Sequence, residues 1–215
     1  MQKACESAGR DAASVRILAV AKKHPQQKIR EAHEQGLSEF GENQVQEALE
    51  KQRQLADLDL CWHFIGTVQS NKTREIAEHF DWVQSVDRIK ILNRLSAQRR
   101  PDQPLLNICL QVNIDREPQK SGVLPEDLDT LATEAAAAPQ IAFRGLMAIP
   151  RPSDALQDLR DSFRRMRELY DALCAQGHEL DTLSMGMSAD LEAAVAEGST
   201  LVRIGTDLFG PRPAM

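Results

Sequence analysis

The run Arg16-Ile17-Leu18-Ala19-Val20-Ala21-Lys22 reads as a short buried strand that ends on a lysine, with Lys23-His24-Pro25 turning the chain after it. Working outward, apolar β-rich runs at 38 to 41, 62 to 66, 82 to 86, 105 to 113, 141 to 149, 181 to 185 and 201 to 204 repeat the pattern. Between them lie stretches of helical period at 25 to 35, 43 to 56, 71 to 79, 88 to 98, 125 to 137, 154 to 176 and 188 to 196. Pro25 suits a first helical turn, and Gly36 and Gly177 stand where the first and sixth of these helices should stop. Strict alternation favours parallel pairing, and eight strand–helix units favour closure into a TIM-type (β/α)8 barrel. An open doubly wound sheet is the alternative, but it usually carries a glycine-rich first turn, and Lys22-Lys23-His24-Pro25 has no glycine.

Composition fits a single domain over residues 1–215. At 24.0 kDa, with 42% hydrophobic and 27% charged residues, the chain can bury one core, at the compact end of a fold that needs about 200 residues or more. A net charge of -6 and a pI near 5.4 give no general attraction to nucleic acid or anionic lipid, which leaves a small molecule as the expected ligand. Cys5, Cys61, Cys109 and Cys174 form no Cys-x-x-Cys pair and read as reduced thiols of a cytoplasmic protein. The amino terminus lacks an apolar signal core, and no run is long enough to span a membrane. Residues 1 to 10 read as the end of a truncated amphipathic helix closing at Gly9, and Asp115 to Gly122 as a flexible insert.

In such barrels the loops at the carboxyl ends of the strands build the active site, which places Lys22 for chemistry. Lysine is also the side chain that condenses with carbonyl compounds. After the last two strands, Ser184-Met185-Gly186-Met187-Ser188 and Arg203-Ile204-Gly205-Thr206 bring glycines and hydroxyls to the place where barrels frequently hold a phosphate. A lysine facing a phosphate cradle is the outline of a pyridoxal 5'-phosphate (PLP) site.

Bland readings stand beside this one. Without the downstream motifs, Lys22 and Lys23 read as solvated loop cations; with them, Lys22 becomes the functional lysine and Lys23 stays at the surface. His63 in an apolar strand reads as a satisfied core histidine, Arg203 as an ion-pair partner of a carboxylate, and Met185 and Met187 as packing. Ser70-Asn71-Lys72 reads as a helix start capped by Ser70, and Lys120 as a loop charge.

Phe40-Gly41-Glu42-Asn43, Trp62-His63-Phe64-Ile65-Gly66, Gln69-Ser70-Asn71-Lys72, Lys120-Ser121-Gly122, Arg144 to Pro150, Leu183 to Ser188, Val202 to Thr206 and Phe209-Gly210 occur in order along nearly the whole chain. Together they closely resemble the pyridoxal phosphate homeostasis proteins, a family similar to the amino-terminal barrel of alanine racemase. The resemblance implies a PLP-binding protein in which Lys22 carries the cofactor as an internal aldimine. It also implies that Arg203 faces the pyridine nitrogen, that Ser184, Gly205 and Thr206 hold the phosphate, and that Asn43 lies near the ring hydroxyl. The chain departs from the family's frequent Ser-Lys-Thr-Lys-Pro with Ala21-Lys22-Lys23-His24-Pro25, and Gln44 stands where tyrosine is more usual.

An arginine at the pyridine nitrogen weakens the ring as an electron sink, because it cannot give up a proton to it. Racemases tolerate that but need an acid and a base on opposite faces of the substrate. In alanine racemase a tyrosine from a second domain serves one face; the single tyrosine here, Tyr170, falls in the helix 154 to 176. The expectation is therefore a monomeric, non-catalytic PLP carrier in vitamin B6 homeostasis, with PLP-dependent apo-enzymes as possible recipients. A PLP-dependent amino-acid racemase is the first alternative, and a cofactor-free lysine aldolase the second.

Overall fold

In the computed structural model, which describes residues 1–210, Arg16–Val20 forms β1 and shows how the barrel shuts. Ala19 pairs on one side with Phe40 of β2 (Glu39–Glu42) and on the other with Ile204 of β8 (Leu201–Ile204). The remaining strands, β3 (Cys61–Phe64), β4 (Trp82–Val86), β5 (Leu106–Gln111), β6 (Ile141–Met147) and β7 (Thr182–Met187), follow in sequence order, and every neighbouring pair is parallel. The expected closed barrel is therefore the observed one. The expected domain ran to residue 215, and residues 211–215 lie outside the described residues.

The helices alternate with the strands because each can bury one apolar stripe against the outer face of the sheet. They are α1 (Gln2–Ser7), α2 (Gln26–Glu34), α3 (Val45–Gln54), α4 (Thr73–His79), α5 (Ile89–Gln98), α6 (Leu128–Ala137), α7 (Leu156–Ala175), α8 (Leu191–Ala196) and the short α9 (Thr206–Phe209). Ile29 of α2, Ile76 of α4, Leu92 of α5 and Phe163 of α7 are fully buried in one core with Phe40 and Phe64. Each such side chain contributes roughly 1.5–3 kcal/mol. Helix α1 seats Ala4 and Cys5 in a smaller cluster with Val195 and Val202, beside the seam where β8 meets β1.

Two local expectations change. Ser70 caps nothing: α4 starts after Lys72, and Thr73 Oγ1 donates to the Ser70 carbonyl at 3.0 Å. The stretch 115–122 is tied down, because Asn113 bonds Glu117 through both backbone groups and Gln111 Nε2 donates to the Ser121 carbonyl at 2.9 Å.

Inside the barrel the packing is polar, whereas branched apolar residues dominate the usual interior. Arg16 Nη2 donates to Thr182 Oγ1 at 3.0 Å; β1 and β7 both flank β8, so this bond reaches past one strand. The Trp82 ring closes the amino-terminal end, stacked on His63 at 5.1 Å with Arg16 over it at 5.3 Å. A barrel stoppered by aromatic and cationic groups there leaves its opening at the carboxyl ends of the strands.

Candidate functional site

At that opening lies a cavity of about 450 Å³. Small-molecule sites run from roughly 300 to 1,000 Å³. Lys22, Asn43, Arg203, Gly205 and Thr206 line it together, from the loops after β1, β2 and β8. Gly66, after β3, passes so close that an added Cβ would stand 2.3 Å from the Asn43 carbonyl oxygen, so glycine lets the two loops share one wall.

Lys22 is half-buried, and the backbone on both sides of it is clamped. Lys51 of α3 donates from Nζ to the Ala21 carbonyl at 2.9 Å, to Glu42 at 2.6 Å and to Glu47 at 2.7 Å. Glu47 Oε1 in turn accepts from the Lys23 amide at 2.8 Å. Lys23 sits at φ 65, a left-handed conformation uncommon outside glycine, and is itself exposed as expected. A left-handed residue just after Lys22 persists because Glu47 and Lys51 hold the peptides around it. Burial pushes the Glu42 carboxyl up to about 7 against the pull of Lys51, and its second oxygen is a buried atom without a hydrogen bond.

Arg203 is 5% exposed and is held differently. Its Nη1 donates to the Ser184 carbonyl and hydroxyl, both at 2.8 Å, and its Nη2 to the Ala148 carbonyl at 2.8 Å. No carboxylate makes an ion pair with it among the described residues, against the ion-pair reading; Asp190 acts on it only at longer range. Burial lowers its pKa to about 10, which leaves it charged at neutral pH. A buried guanidinium bonded only to neutral groups, in the wall of a cavity, suits a ligand that supplies negative charge or a lone pair.

Ser184 is the expected site residue that the structure does not bring to the cavity. It is fully buried within β7, and its hydroxyl is spent between Arg203 and Gln84, to which it donates at 2.6 Å. Strand β7 runs to Met187 rather than 185, through Gly186 at φ 96, so the cavity is reached by Ser188 and Ala189 instead. The cavity also takes in His24, packed on the Phe209 ring at 5.2 Å, and the apolar Ile65, Met147 and Ile149. His24 was legible only as the second residue after Lys22. Tyr170 lies elsewhere, donating from α7 to the Leu180 carbonyl at 2.7 Å. Lys120 is more than a loop charge: it donates to the carbonyls of Ile149 and Pro150, at 3.3 and 2.9 Å.

A closed barrel with its opening lined this way is of the alanine racemase amino-terminal class, and the model of that domain family matches residues 3–213. The pyridoxal phosphate homeostasis protein of Pseudomonas aeruginosa is 57% identical over 212 residues, covering 99% of this chain and 91% of that protein. That of Haemophilus influenzae is 45% identical over 216 residues, covering 99% and 91%. The chain belongs to the pyridoxal phosphate homeostasis protein family. Among solved structures, PipY of Synechococcus elongatus PCC7942 with PLP bound superposes with a TM-score of 0.86 at 40% identity, covering 97% of this chain and 99% of that one. Alanine racemase of Corynebacterium glutamicum shares the fold at a TM-score of 0.71 and 15% identity, with 98% of this chain matching 59% of the racemase.

Proposed function

We propose that this protein binds PLP in the cavity, holds it as a Schiff base on Lys22, and serves intracellular vitamin B6 homeostasis as a non-catalytic carrier. The observation that carries the reading is that Lys22, Asn43, Arg203, Gly205 and Thr206 line one cavity, with a buried Arg203 bonded to neutral groups on the strand next to the one that Lys22 follows. PLP supplies an aldehyde for the amine, a pyridine nitrogen and a dianionic phosphate. Lys22 would supply the amine to which that aldehyde can be held as a Schiff base. Arg203 donates toward the pyridine nitrogen and Asn43 toward the ring hydroxyl. Gly205 and Thr206 hold the phosphate, joined by Ser188 in the place expected of Ser184.

PipY, at 40% identity, is a family relative with PLP bound, which supports the cofactor. Arg203 keeps its own proton, which limits carbanion stabilisation and favours holding over turnover. A buried reactive aldehyde is kept from other amines, so a carrier role fits, with PLP-dependent apo-enzymes as recipients and a cytoplasmic monomer as the working form. No helix among the described residues is long and apolar enough to cross a membrane.

One observation favours a second reading. His24 is the titratable side chain that lines the cavity besides Lys22 and Arg203, and it offers the second proton-transfer group that an amino-acid racemase requires. Absorption spectra with PLP, for wild type and Lys22→Ala, with borohydride reduction and peptide mapping, test the carrier. A band fixed on Lys22 and lost in the variant is expected; no band, or trapping spread over surface lysines, overturns the assignment. Racemisation of alanine or serine that disappears in both Lys22→Ala and His24→Gln would replace the carrier by the enzyme.

A further inference from the structure

His63, Gln84 and Ser184 form a chain of hydrogen bonds across the barrel that the cavity lining does not include. Arg203 Nη1 meets Ser184 Oγ at 2.8 Å, and Ser184 Oγ meets Gln84 Oε1 at 2.6 Å. Gln84 Nε2 meets His63 Nδ1 at 3.0 Å, and His63 Nε2 lies 3.4 Å from Glu39 Oε2. All three linking side chains are fully buried, and β4 and β7 are not neighbours, so the Gln84–Ser184 bond spans the axis.

The links share one consistent direction. A guanidinium has no acceptor, so Arg203 must donate and Ser184 Oγ must accept. The Ser184 hydroxyl donates its one proton to Gln84, which presents its carbonyl oxygen. The amide nitrogen of Gln84 is thereby turned to His63, whose Nδ1 must accept. His63 is left neutral with its proton on Nε2, pointing to the Glu39 carboxylate. Turning the Gln84 amide around would leave the Ser184 hydroxyl proton without this acceptor and draw the neutral His63 proton to Nδ1, setting Nε2 against the Glu39 carboxylate as two acceptors in a site closed to water.

We infer that His63, Gln84 and Ser184 are positioning residues: they lock the plane of the Arg203 guanidinium from beneath, so that its remaining Nε donor is presented to the ring nitrogen of PLP. Nε has no hydrogen bond among the described residues, while both Nη1 protons and one of the two on Nη2 are used by the floor. The inference rests on the reading of Arg203 as cofactor-facing. It gives His63 and Gln84 a role in the site although neither lines the cavity.

The test has an arm without cofactor and an arm with it. In the cofactor-free protein, nitrogen-15 NMR of the imidazoles, assigned with His63→Gln, is expected to show His63 unprotonated at Nδ1 and protonated at Nε2. The opposite tautomer overturns the inference. In the second arm, Ser184→Ala and Gln84→Leu are expected to bind PLP about tenfold more weakly, one hydrogen bond's worth, and to shift the absorption band of bound PLP. Ser184→Thr, which keeps the hydroxyl, is expected to restore affinity and band. Should Gln84→Leu fail to fold, Ser184→Ala removes a single oxygen and carries the same test. Variants that lower the melting temperature but leave affinity and band at wild-type values overturn the positioning role. If wild type forms no band on Lys22, the carrier reading falls, and the tautomer still decides whether the chain is directed as inferred.

Discussion

The two sides of the cavity hold their cations by opposite means. Under Lys22, an ion cluster of Lys51 with Glu42 and Glu47 grips the backbone on either side, and the charge of Lys22 acts on Glu42 of that cluster. Under Arg203, neutral oxygens from Ser184 and Ala148 grip the guanidinium itself. The difference matches what the proposed roles ask of each group. A lysine that condenses with an aldehyde has to shed its proton and turn, so its position is set through the main chain. An arginine that only donates has to keep one plane, so its side chain is fixed directly.

Breaking the charged side should have the largest effect. Lys51→Met takes the hydrogen-bonded ammonium from Glu42 and Glu47, leaves Glu42 the charge of Lys22, and strips a donor from the Ala21 carbonyl. Removing one partner of a buried pair costs about 3–5 kcal/mol. Denaturant unfolding of the cofactor-free protein measures it, and a loss under about 1 kcal/mol would mean that the cluster is not what holds the Lys22 turn.

The two sides were also unequally legible. Lys22, Asn43, Arg203, Gly205 and Thr206 could be gathered because each follows a strand whose end is marked, and a parallel barrel brings strand ends to one mouth. Ser184 misled because β7 was expected to stop at 185. A register shift between Ser184 and Met187 carries the strand onward and leaves Ser184 inside. Lys51 was hidden for a different reason: a lysine four residues after Glu47 on a polar helix reads as a solvated pair, and nothing local says that Glu42 lies behind it. Gln84, between Val83 and Ser85 in an apolar strand, was the better clue, since a buried polar residue is the informative kind. Its partner on β7 is 100 positions away, and only the closed fold supplies it.

pH sharpens the comparison, because the two sides titrate with opposite sign. Burial lowers the His63 pKa from 6.5, with Glu39 opposing, so the unfolded state takes the proton first. Its contribution is complete above about pH 6.5 and is lost as pH falls toward the folded value. Glu42 is raised from 4.5 to about 7, so the folded state takes that proton first. Its contribution is complete below 4.5 and is lost as pH rises to about 7. The two slopes oppose one another between the ordinary carboxylate and histidine values. Unfolding free energy measured across that window is expected to be flatter in wild type than in either Glu42→Gln, where stability should climb with pH, or His63→Gln, where it should decline. Arg16, Asp81 and Cys61 around His63, and Lys22 and Lys51 around Glu42, remain the same in both variants.

At neutral pH, Glu42→Gln should be the mildest change of all. The carboxyl is fully buried, already raised to about 7, and one of its oxygens has no partner. Glutamine keeps an oxygen for Lys51 at the same reach and asks for no buried charge, while Glu47 still pairs with the ammonium. Because Glu47 remains as counter-charge, no uncompensated buried charge is left behind, and the expected change in unfolding free energy is within about 1 kcal/mol. The comparison with Lys51→Met isolates what the cluster needs: a large loss for the lysine beside a small one for Glu42 assigns the clamp to the ammonium, which alone reaches Ala21, Glu42 and Glu47 together. Equal losses would assign it to the Glu42–Lys51 charge pair and leave the backbone contacts secondary.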